Sequence, residues 1–433
     1  MKTQRKIKLM SVFWGLLCFW QVGFAQLTLE DCYKLATENY PLIQNYNLIK
    51  QSSQYSLANV YKGYLPQVNV FGQATYQSDV ATLPDAFQNI MTQFGVDVEG
   101  IHKDQYKIGL SLNQIIYDGG NMKAKHEIEM ADENAQTAQM DVQMYAIKEK
   151  INYLYFAILL IEDKKQLNAD LQVLLKSNYD RLVAMKTNGT ALQSDADAVQ
   201  AEYLQAKQQE IALQSMEKSY KQMLSVFINK NVNEITDLQK PEYQSVSTKD
   251  NLRPELKYYD SQLNKVIAQE KYLQSSIRPR LSLFGQAYYG YTGYDMFADM
   301  LDYSWSLNGM VGISLNWNLT SLYTYKNDRE RLKVSKAMVE NSREVFLFNN
   351  NLSTFSSQNN IDQYQKMLNE DDRIISLRQS IRKSAEAKLN EGIIDVNNLL
   401  KEITNENQAK IDRSTHEIEL LQNAYKLKNI VNQ

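Results

Sequence analysis

Proline and glycine are scarce in this sequence of 433 residues, which contains 6 prolines and 16 glycines. From residue 121 to residue 232 there is no proline and one glycine, Gly189, and beyond Gly312 there is again no proline and one glycine, Gly392. Because these residue types interrupt helices most strongly, their absence predicts two long helices that each end near one glycine. At ~1.5 Å per residue the first is on the order of 100 Å long, several times the usual length in compact soluble domains.

Cysteine and histidine are also rare. The sequence has 2 cysteines, Cys18 and Cys32, and 3 histidines, His102, His126 and His416. No spacing of histidine, cysteine and carboxylate residues resembles a metal site, and no nucleophile is paired with a base in a catalytic pattern. The sequence therefore predicts a protein that is not an enzyme and that holds no metal or cofactor.

The first 25 residues have the pattern of a secretory signal peptide. Four basic residues precede a mainly apolar run over 9–20, and small residues follow at Gly23 and Ala25, after which we expect cleavage. The alternative is an uncleaved anchor helix. Removal of these four basic residues changes the formal net charge from −3 to −7, which argues against a nucleic-acid partner because phosphates require clustered lysine and arginine.

Both long helices carry apolar residues at alternating steps of four and three, the pattern of a coiled-coil seam. In the first helix the seam consists of Ile147, Ile151, Leu154, Ile158, Ile161, Leu167, Leu171 and Leu174. In the second it consists of Val334, Met338, Val345, Phe348, Leu352 and Phe355, with Asn341 at the remaining core position. Taken alone, these seams also fit a cytosolic coiled coil.

Between the helical regions the period changes from four and three to two, which indicates β-strands with one apolar and one polar side. We predict strands at about 65–77 and 107–117, and again at about 279–291 and 305–319. Each strand is about as long as a tilted strand that crosses a lipid bilayer. Aromatic residues at the expected loop end would form a girdle at the lipid headgroups; they are Tyr288, Tyr289, Tyr291, Tyr294, Tyr303 and Trp305.

The chain contains the same series of elements twice. Pro41 and Pro66 recur as Pro254 and Pro279 after 213 residues, and Gly189 recurs as Gly392 after 203 residues. We therefore predict a first repeat over 26–250, with a helical hairpin at 121–228 and an irregular segment at 229–250. The second repeat covers 251–433, with a helical hairpin at 323–430. Pro66 and Pro279 mark the helix–strand junctions.

Four strands in one chain would leave the edges of an open sheet unpaired in lipid, at several kcal/mol for each unpaired group. The sheet must then close by oligomerisation. Two chains give eight strands, whose side chains fill the interior, whereas three chains give twelve strands and room for a channel.

The order of these elements resembles the TolC family of outer-membrane efflux channels over the whole predicted mature chain. Three short segments share in the resemblance: 27–32 near the start, 117–120 after a strand, and 253–256 at the start of the second repeat. The resemblance implies a homotrimer in the outer membrane, with a 12-stranded β-barrel on a 12-helix periplasmic tunnel. It also implies a passive conduit that contacts outer-membrane lipid, a periplasmic adaptor (membrane fusion protein) and an inner-membrane transporter.

The resemblance further directs attention to the far end of the tunnel. Family members carry an aspartate six residues after the turn glycine, where three chains would form a selective carboxylate ring. Asp195 is at this position in the first repeat, with Asp197 nearby, whereas the second repeat has Asn398 there and Asp395 three residues earlier. Capping of the following helix is the competing interpretation for Asp195 and Asp395.

The two turns would also contact the adaptor, through Gly189 and Thr190 in the first repeat and Gly392 and Ile393 in the second. The alternative function is a secreted coiled-coil periplasmic adaptor or scaffold protein. That class predicts a single hairpin flanked by lipoyl-like and barrel domains, whereas this sequence predicts two equal hairpins.

Overall fold

The computed structural model describes residues 26–98, 100–235, 238–247 and 251–432. The predicted signal peptide, residues 1–25, and part of the predicted irregular segment lie outside the described residues. Nine α-helices are found in the described part of the chain. They are α1 (Leu29–Asn39), α2 (Gln44–Lys62), α3 (Asp85–Gln93), α4 (Asn121–Thr187), α5 (Gln193–Ile228), α6 (Pro254–Ser276), α7 (Met296–Leu301), α8 (Ser321–Asn390) and α9 (Val396–Val431).

The strands form one antiparallel sheet in the order β1–β2–β3–β4. Their bounds are β1 (Gln67–Tyr76), β2 (Asp104–Tyr117), β3 (Arg280–Tyr291) and β4 (Ser306–Asn316). A mainly helical chain with four strands is the expected fold class, and the described residues confirm it.

The helical region before β1 is divided into two helices at Pro41. Thr28 and Asp31 form a capping box at the start of α1: the Asp31 backbone N–H donates to the Thr28 hydroxyl at 3.1 Å, and the Thr28 backbone N–H donates to the Asp31 carboxylate at 3.3 Å. Pro41 lacks a backbone N–H and begins a short 3₁₀ turn, Pro41–Ile43. The helix then resumes as α2.

Two short helices, which were not predicted from the sequence, lie in the loops between the strands. α3 has 9 residues and lies between β1 and β2, and α7 has 6 residues and lies between β3 and β4. Helices of this length are too short for a periodic signal. At α7 the carboxylate of Asp295 accepts the backbone N–H of Ala298 at 3.1 Å, and this contact starts the helix.

The chain folds into two compact units, and each contains residues from both sequence repeats. The sheet unit is Asn45–Met140 with Glu255–Val345, and it contains all four strands. The hairpin unit comprises the described residues within Met1–Gln44, Asp141–Pro254 and Phe346–Gln433.

The hairpin unit has a core along α4. Five residues of the first predicted seam, spaced along this helix from residue 147 to residue 161, are at most 7% exposed, so this part of the seam is confirmed. They are Ile147, Ile151, Leu154, Ile158 and Ile161. Tyr155 is fully buried beside them, and its hydroxyl lies 2.8 Å from the Leu27 carbonyl and 2.6 Å from the Gln239 carbonyl.

The last helix of each repeat ends beside the beginning of that repeat. In the first repeat the side-chain amide of Asn39 donates to the Ile228 carbonyl at 3.4 Å. In the second, the Leu252 backbone N–H donates to the Val431 carbonyl at 3.0 Å. Both helices stop at an asparagine with positive φ, Asn229 at 52° and Asn432 at 57°. Asparagine tolerates this left-handed conformation better than most residues.

Candidate functional site

The two hairpin turns have the same backbone structure. Gly189 has a φ of 75° and Gly392 a φ of 69°, a region that favours glycine. In the first turn the Thr190 N–H donates to the Met185 carbonyl and the Gly189 N–H to the Lys186 carbonyl, both at 2.9 Å. The second turn has the equivalent bonds, from Ile393 to Lys388 at 2.9 Å and from Gly392 to Leu389 at 3.0 Å. This is the Schellman arrangement, which satisfies the last carbonyls of a helix.

After each turn the next helix begins with one half of a capping box. In the first repeat the carboxylate of Asp195 accepts the Leu192 backbone N–H at 3.0 Å. In the second repeat the carboxylate of Asp395 accepts the Asn398 backbone N–H at 2.8 Å. A complete capping box has both bonds. Both aspartates therefore cap a helix, as the competing interpretation expected, and their proposed role at an aperture is a separate question.

The remaining predicted residues of the turns lie at the surface. Asp197 is exposed, and its carboxylate accepts the side-chain amide of Gln193 at 2.6 Å. Thr190, Ile393 and Asn398 are exposed, whereas Asp195 is half-buried. Each turn is thus followed by one large, exposed apolar side chain, Leu192 at 68% in the first repeat and Ile393 at 69% in the second.

Behind the turns, helices α4, α5, α8 and α9 share one apolar cluster, the turn-end core, which lies within the hairpin unit. Its fully buried centre is formed by Val199 and Leu399. The cluster consists of Leu175, Leu182, Ala196, Val199, Ala206, Ala385, Leu389, Val396, Leu399, Leu400 and Ile403. Because it contains residues of both hairpins, their turn-proximal segments are packed together within one protomer.

A buried ion-pair cluster lies next to the turn-end core. Glu406 of α9 is 3% exposed and forms ion pairs with Arg382 of α8 and, at 2.6 Å, with Lys410. Arg382 also pairs with Glu386 at 2.5 Å. Burial raises the pKa of Glu406, but its contacts with Lys410 and Arg382 outweigh burial and hold that pKa below its usual range. The cluster links α8 to α9 near the second turn.

Both predicted helix–strand junction prolines lie directly before a strand, Pro66 before β1 and Pro279 before β3. Where β2 leads into α4, the buried carboxylate of Asp118 accepts the backbone N–H groups of Gly120 at 2.9 Å and Met122 at 2.6 Å. These contacts satisfy free donors at the helix start. The guanidinium of Arg278 donates to the Gly119 carbonyl at 3.1 Å and so ties this junction to the segment before β3.

The four strands align their apolar residues on one side, the apolar face. The register places Val70 opposite Leu110, Leu110 opposite Ala287, and Leu283 opposite Ile313. Eight large aliphatic side chains of this face are between 51 and 80% exposed. They are Val68, Val70, Ile108, Leu110, Leu307, Val311, Ile313 and Leu315. An apolar patch of this size, exposed on a folded protomer, indicates a lipid or protein contact surface.

The opposite side of the sheet, the polar face, carries mainly amide and hydroxyl groups, as the alternation predicted. One row across the strands joins Asn69, Ser111 and Gln286. The register also places four large aromatic or apolar residues on this face, Phe71, Phe284, Tyr288 and Met310. The face also contains two basic residues, Lys107 and Arg280.

The sheet is open. Among the described residues, β1 pairs only with β2, and β4 pairs only with β3. Each outer strand therefore has a row of backbone N–H and C=O groups without a neighbouring strand, an arrangement that favours addition of a strand from another chain.

Of the six residues predicted to form an aromatic girdle, four are exposed and two are buried, so the prediction is wrong for those two. Tyr289, Tyr294, Tyr303 and Trp305 are between 41 and 50% exposed, but Tyr288 and Tyr291 are buried. Tyr291 packs with Ile101 and Met300 of the loops, and its hydroxyl accepts the His102 backbone N–H at 3.0 Å. Tyr288 lies on the polar face, and its hydroxyl donates to the Thr292 carbonyl at 2.9 Å. These two rings hold the loops in place.

The second predicted seam is not buried within the protomer. Its six apolar residues on α8 are between 51 and 65% exposed, in contrast to the buried seam of α4. They are Val334, Met338, Val345, Phe348, Leu352 and Phe355. The spacing predicted a seam against neighbouring helices, and within one protomer the described residues do not cover this seam.

Across the described ranges, no helix is both long enough and apolar enough to cross a bilayer. Within the same ranges, no group of three or more histidine, cysteine, aspartate or glutamate residues is arranged to hold a metal ion.

The sequence matches no protein-family model and no curated protein, but the fold is similar to those of solved channels. The outer-membrane channel OprN has a TM-score of 0.69 and 14% identity, over 95% of this chain and 91% of that one. The outer-membrane protein VceC of Vibrio cholerae has a TM-score of 0.66 and 12% identity, over 93% and 95%. The MtrE outer-membrane channel of Neisseria gonorrhoeae has a TM-score of 0.63 and 12% identity, over 93% and 88%.

Proposed function

Because this chain has the fold of the TolC-like outer-membrane channels, we propose that it is one protomer of a homotrimeric channel in the cell outer membrane. The observation that carries the proposal is the open four-stranded sheet, with an exposed apolar face, a polar opposite face and two unpaired edges. A sheet of this kind is complete only when its edges pair and its apolar face leaves water.

Three copies would pair all sheet edges, remove the apolar faces from water and leave room for a pore. Pairing of β4 of one copy with β1 of the next would close a barrel of twelve strands, with the apolar faces outward and the polar faces inward. An eight-stranded barrel from two copies would have an interior filled by side chains. The exposed apolar seam of α8 supports the same assembly, because a neighbouring copy would cover it.

The long hairpins extend this channel into the periplasm, where twelve helices from three copies would form a tunnel. In this proposal the trimer is the exit duct of a tripartite efflux or type I secretion system. It receives cargo through a periplasmic adaptor and an inner-membrane transporter, and it carries out no chemical reaction. The predicted signal peptide supports export of the chain to this compartment.

Cell fractionation tests the proposal directly. We expect the full-length chain in the outer-membrane fraction, extracted by detergent as a trimer that forms conducting channels in planar lipid bilayers. A soluble monomer, or a membrane-associated form with no conductance, would contradict the proposed function.

The end of the tunnel at the two turns is the proposed aperture. Rings of Asp195 from three copies would attract cations in addition to capping α5, with Asp197 and Asp395 nearby. We expect the ratio of potassium to chloride permeability to be lower in Asp195→Ala trimers than in the unaltered channel in planar-bilayer recordings. As a control, Asp195→Asn removes the charge but keeps a side-chain oxygen that can accept the Leu192 N–H. If selectivity is unchanged in both variants, Asp195 acts only as a cap.

The turns are the proposed adaptor contacts, because Thr190 and Ile393 are exposed at the ends of the hairpins. We expect cysteines placed at Thr190 or Ile393 to form crosslinks to a periplasmic adaptor in cells. Crosslinks from the middle of α4 or α8, with none from the turns, would instead show that the adaptor binds along the side of the tunnel.

A further inference from the structure

The polar face of the sheet carries positive charge and no negative charge. Lys107 and Arg280 are the only ionisable residues with acidic or basic side chains among the positions of this face, all of which lie in the described strands. The one carboxylate within the strands, Asp104, pairs with Tyr76 in the register and so belongs to the other side. Its carboxylate accepts the hydroxyl of Tyr303 at 3.3 Å.

The two basic residues lie at opposite ends of the polar face. Lys107 is opposite Gln73 of β1 and Gly290 of β3, close to the loops, and Arg280 is opposite Asn316 at the helical end. Gly290 and Arg280 are ten positions apart on β3, which corresponds to roughly 33 Å at ~3.3 Å per residue. The Lys107 ammonium lies 5.0 Å from the centre of the Tyr288 ring, so its position over the polar face is supported by a cation–π contact.

We propose that the lumen of the barrel selects for anions and that the favoured cargo is a small organic anion, such as a carboxylate, phosphate or sulfonate. This inference rests on the proposed function, because the polar face lines a lumen only when three sheets close. Each basic residue then forms a ring of three positive charges, one near each mouth of the barrel. Rings of lysine or arginine are the arrangement by which pores favour anions.

The dimensions make such rings effective. A twelve-stranded barrel has a backbone radius of roughly 12 Å, from a strand spacing of ~4.8 Å and a tilt of ~40°. A lysine side chain that projects inward reaches about half of that radius, so its charge lies within about one Debye length, ~8 Å at 0.15 M salt, of the axis. Ions that pass along the axis therefore meet an incompletely screened positive potential.

Lys107 is the stronger determinant of the two. Arg280 lines a surface cavity together with two acidic residues, Asp118 and Glu129. Lys107 is surrounded on its face by the neutral positions Gln73, Gly109 and Gly290. We expect removal of the Lys107 charge to change selectivity more than removal of the Arg280 charge.

Reversal potentials of the reconstituted trimer in a KCl gradient test the inference. In the Lys107→Gln variant we expect the ratio of chloride to potassium permeability to fall about threefold, and the Lys107→Gln, Arg280→Gln double variant to show a larger fall. Lys107→Arg keeps the charge at the same position and should retain the selectivity of the unaltered channel. Gln73→Glu places a carboxylate opposite Lys107 and should also lower the ratio of chloride to potassium permeability.

The outcomes distinguish this inference from the function on which it rests. If the unaltered protein forms no channels, the proposed function fails and the inference fails with it. If channels form but Lys107→Gln and Gln73→Glu leave the permeability ratio unchanged, the function stands and the anion selectivity is wrong. Comparison with the Asp195→Ala channel distinguishes the barrel from the aperture. Loss of the positive charge of Lys107 should lower the ratio of chloride to potassium permeability, whereas loss of the negative charge of Asp195 should raise it.

Discussion

Replacement of Leu110 by arginine is expected to abolish the trimeric channel, whereas replacement of the next residue, Ser111, by arginine leaves it assembled. Leu110 lies on the apolar face and is 51% exposed in the protomer. In a closed barrel it would contact lipid, where an arginine near the bilayer midplane costs about 2–4 kcal/mol. The cost applies three times in a trimer. Ser111 lies on the polar face between Asn69 and Gln286, where a charge remains in water.

The amount of heat-resistant trimer in outer-membrane fractions measures this difference. The two substitutions introduce the same side chain at adjacent positions of one strand, so they have nearly the same effect on strand propensity. Equal loss of trimer in both variants would contradict the proposal that one face of the sheet contacts lipid and the other contacts water. Loss in Ser111→Arg alone would reverse the proposed orientation of the sheet.

The double substitution Phe348→Asp, Phe355→Asp on α8 is expected to convert the trimer into monomers in detergent. The two rings are 63% and 62% exposed in the protomer and lie seven residues apart, on the same side of the helix. Burial of one such side chain against a neighbouring copy contributes about 1.5–3 kcal/mol, and a trimer contains six of them. Aspartate removes this contribution and places charges in the contact.

The control for this experiment is Ser353→Asp, which adds the same charge at an exposed position about 140° away around the helix. We expect this variant to remain trimeric by size-exclusion chromatography with light scattering. Circular dichroism should show unchanged helix content in all three proteins, because the altered residues are exposed in the protomer. A double variant that remains trimeric would contradict the assignment of the α8 seam to the contact between copies.

The long helices and the turns could be predicted from the sequence because the signals that define them are local. Gly189 and Gly392 each stand alone in a long stretch without proline, and a single left-handed residue is what the end of a helix requires. The strands could also be predicted, because apolar and polar residues alternate along most of each strand. The short helix α7 was missed because 6 residues contain too few turns to show a period.

What the sequence left open, or placed wrongly, concerns contacts between distant parts of the chain or between chains. The seam of α8 and the seam of α4 have the same spacing, and spacing identifies an apolar stripe but does not show which molecule covers it. In the same way, the sequence placed Tyr291 at the loop end correctly, but its burial depends on Ile101 and Met300, which come from two different loops. The aspartates near the turns could be identified from the sequence. The backbone geometry was needed to show that Asp195 and Asp395 each form a different one of the two hydrogen bonds of a capping box.

The meeting of the two ends within each repeat bears on how a chain of this kind can arise. Val431 is hydrogen-bonded to Leu252, and Ile228 is hydrogen-bonded to Asn39. The first and last helical segments of each repeat therefore lie next to each other. A genetic segment with this property can be copied in tandem, since the second copy starts where the first stops and only a short linker is needed. Equal insertions in both hairpins can then change their length without any change where the two repeats join. Different parts of the chain therefore determine the length of the hairpins and the junction that permits duplication.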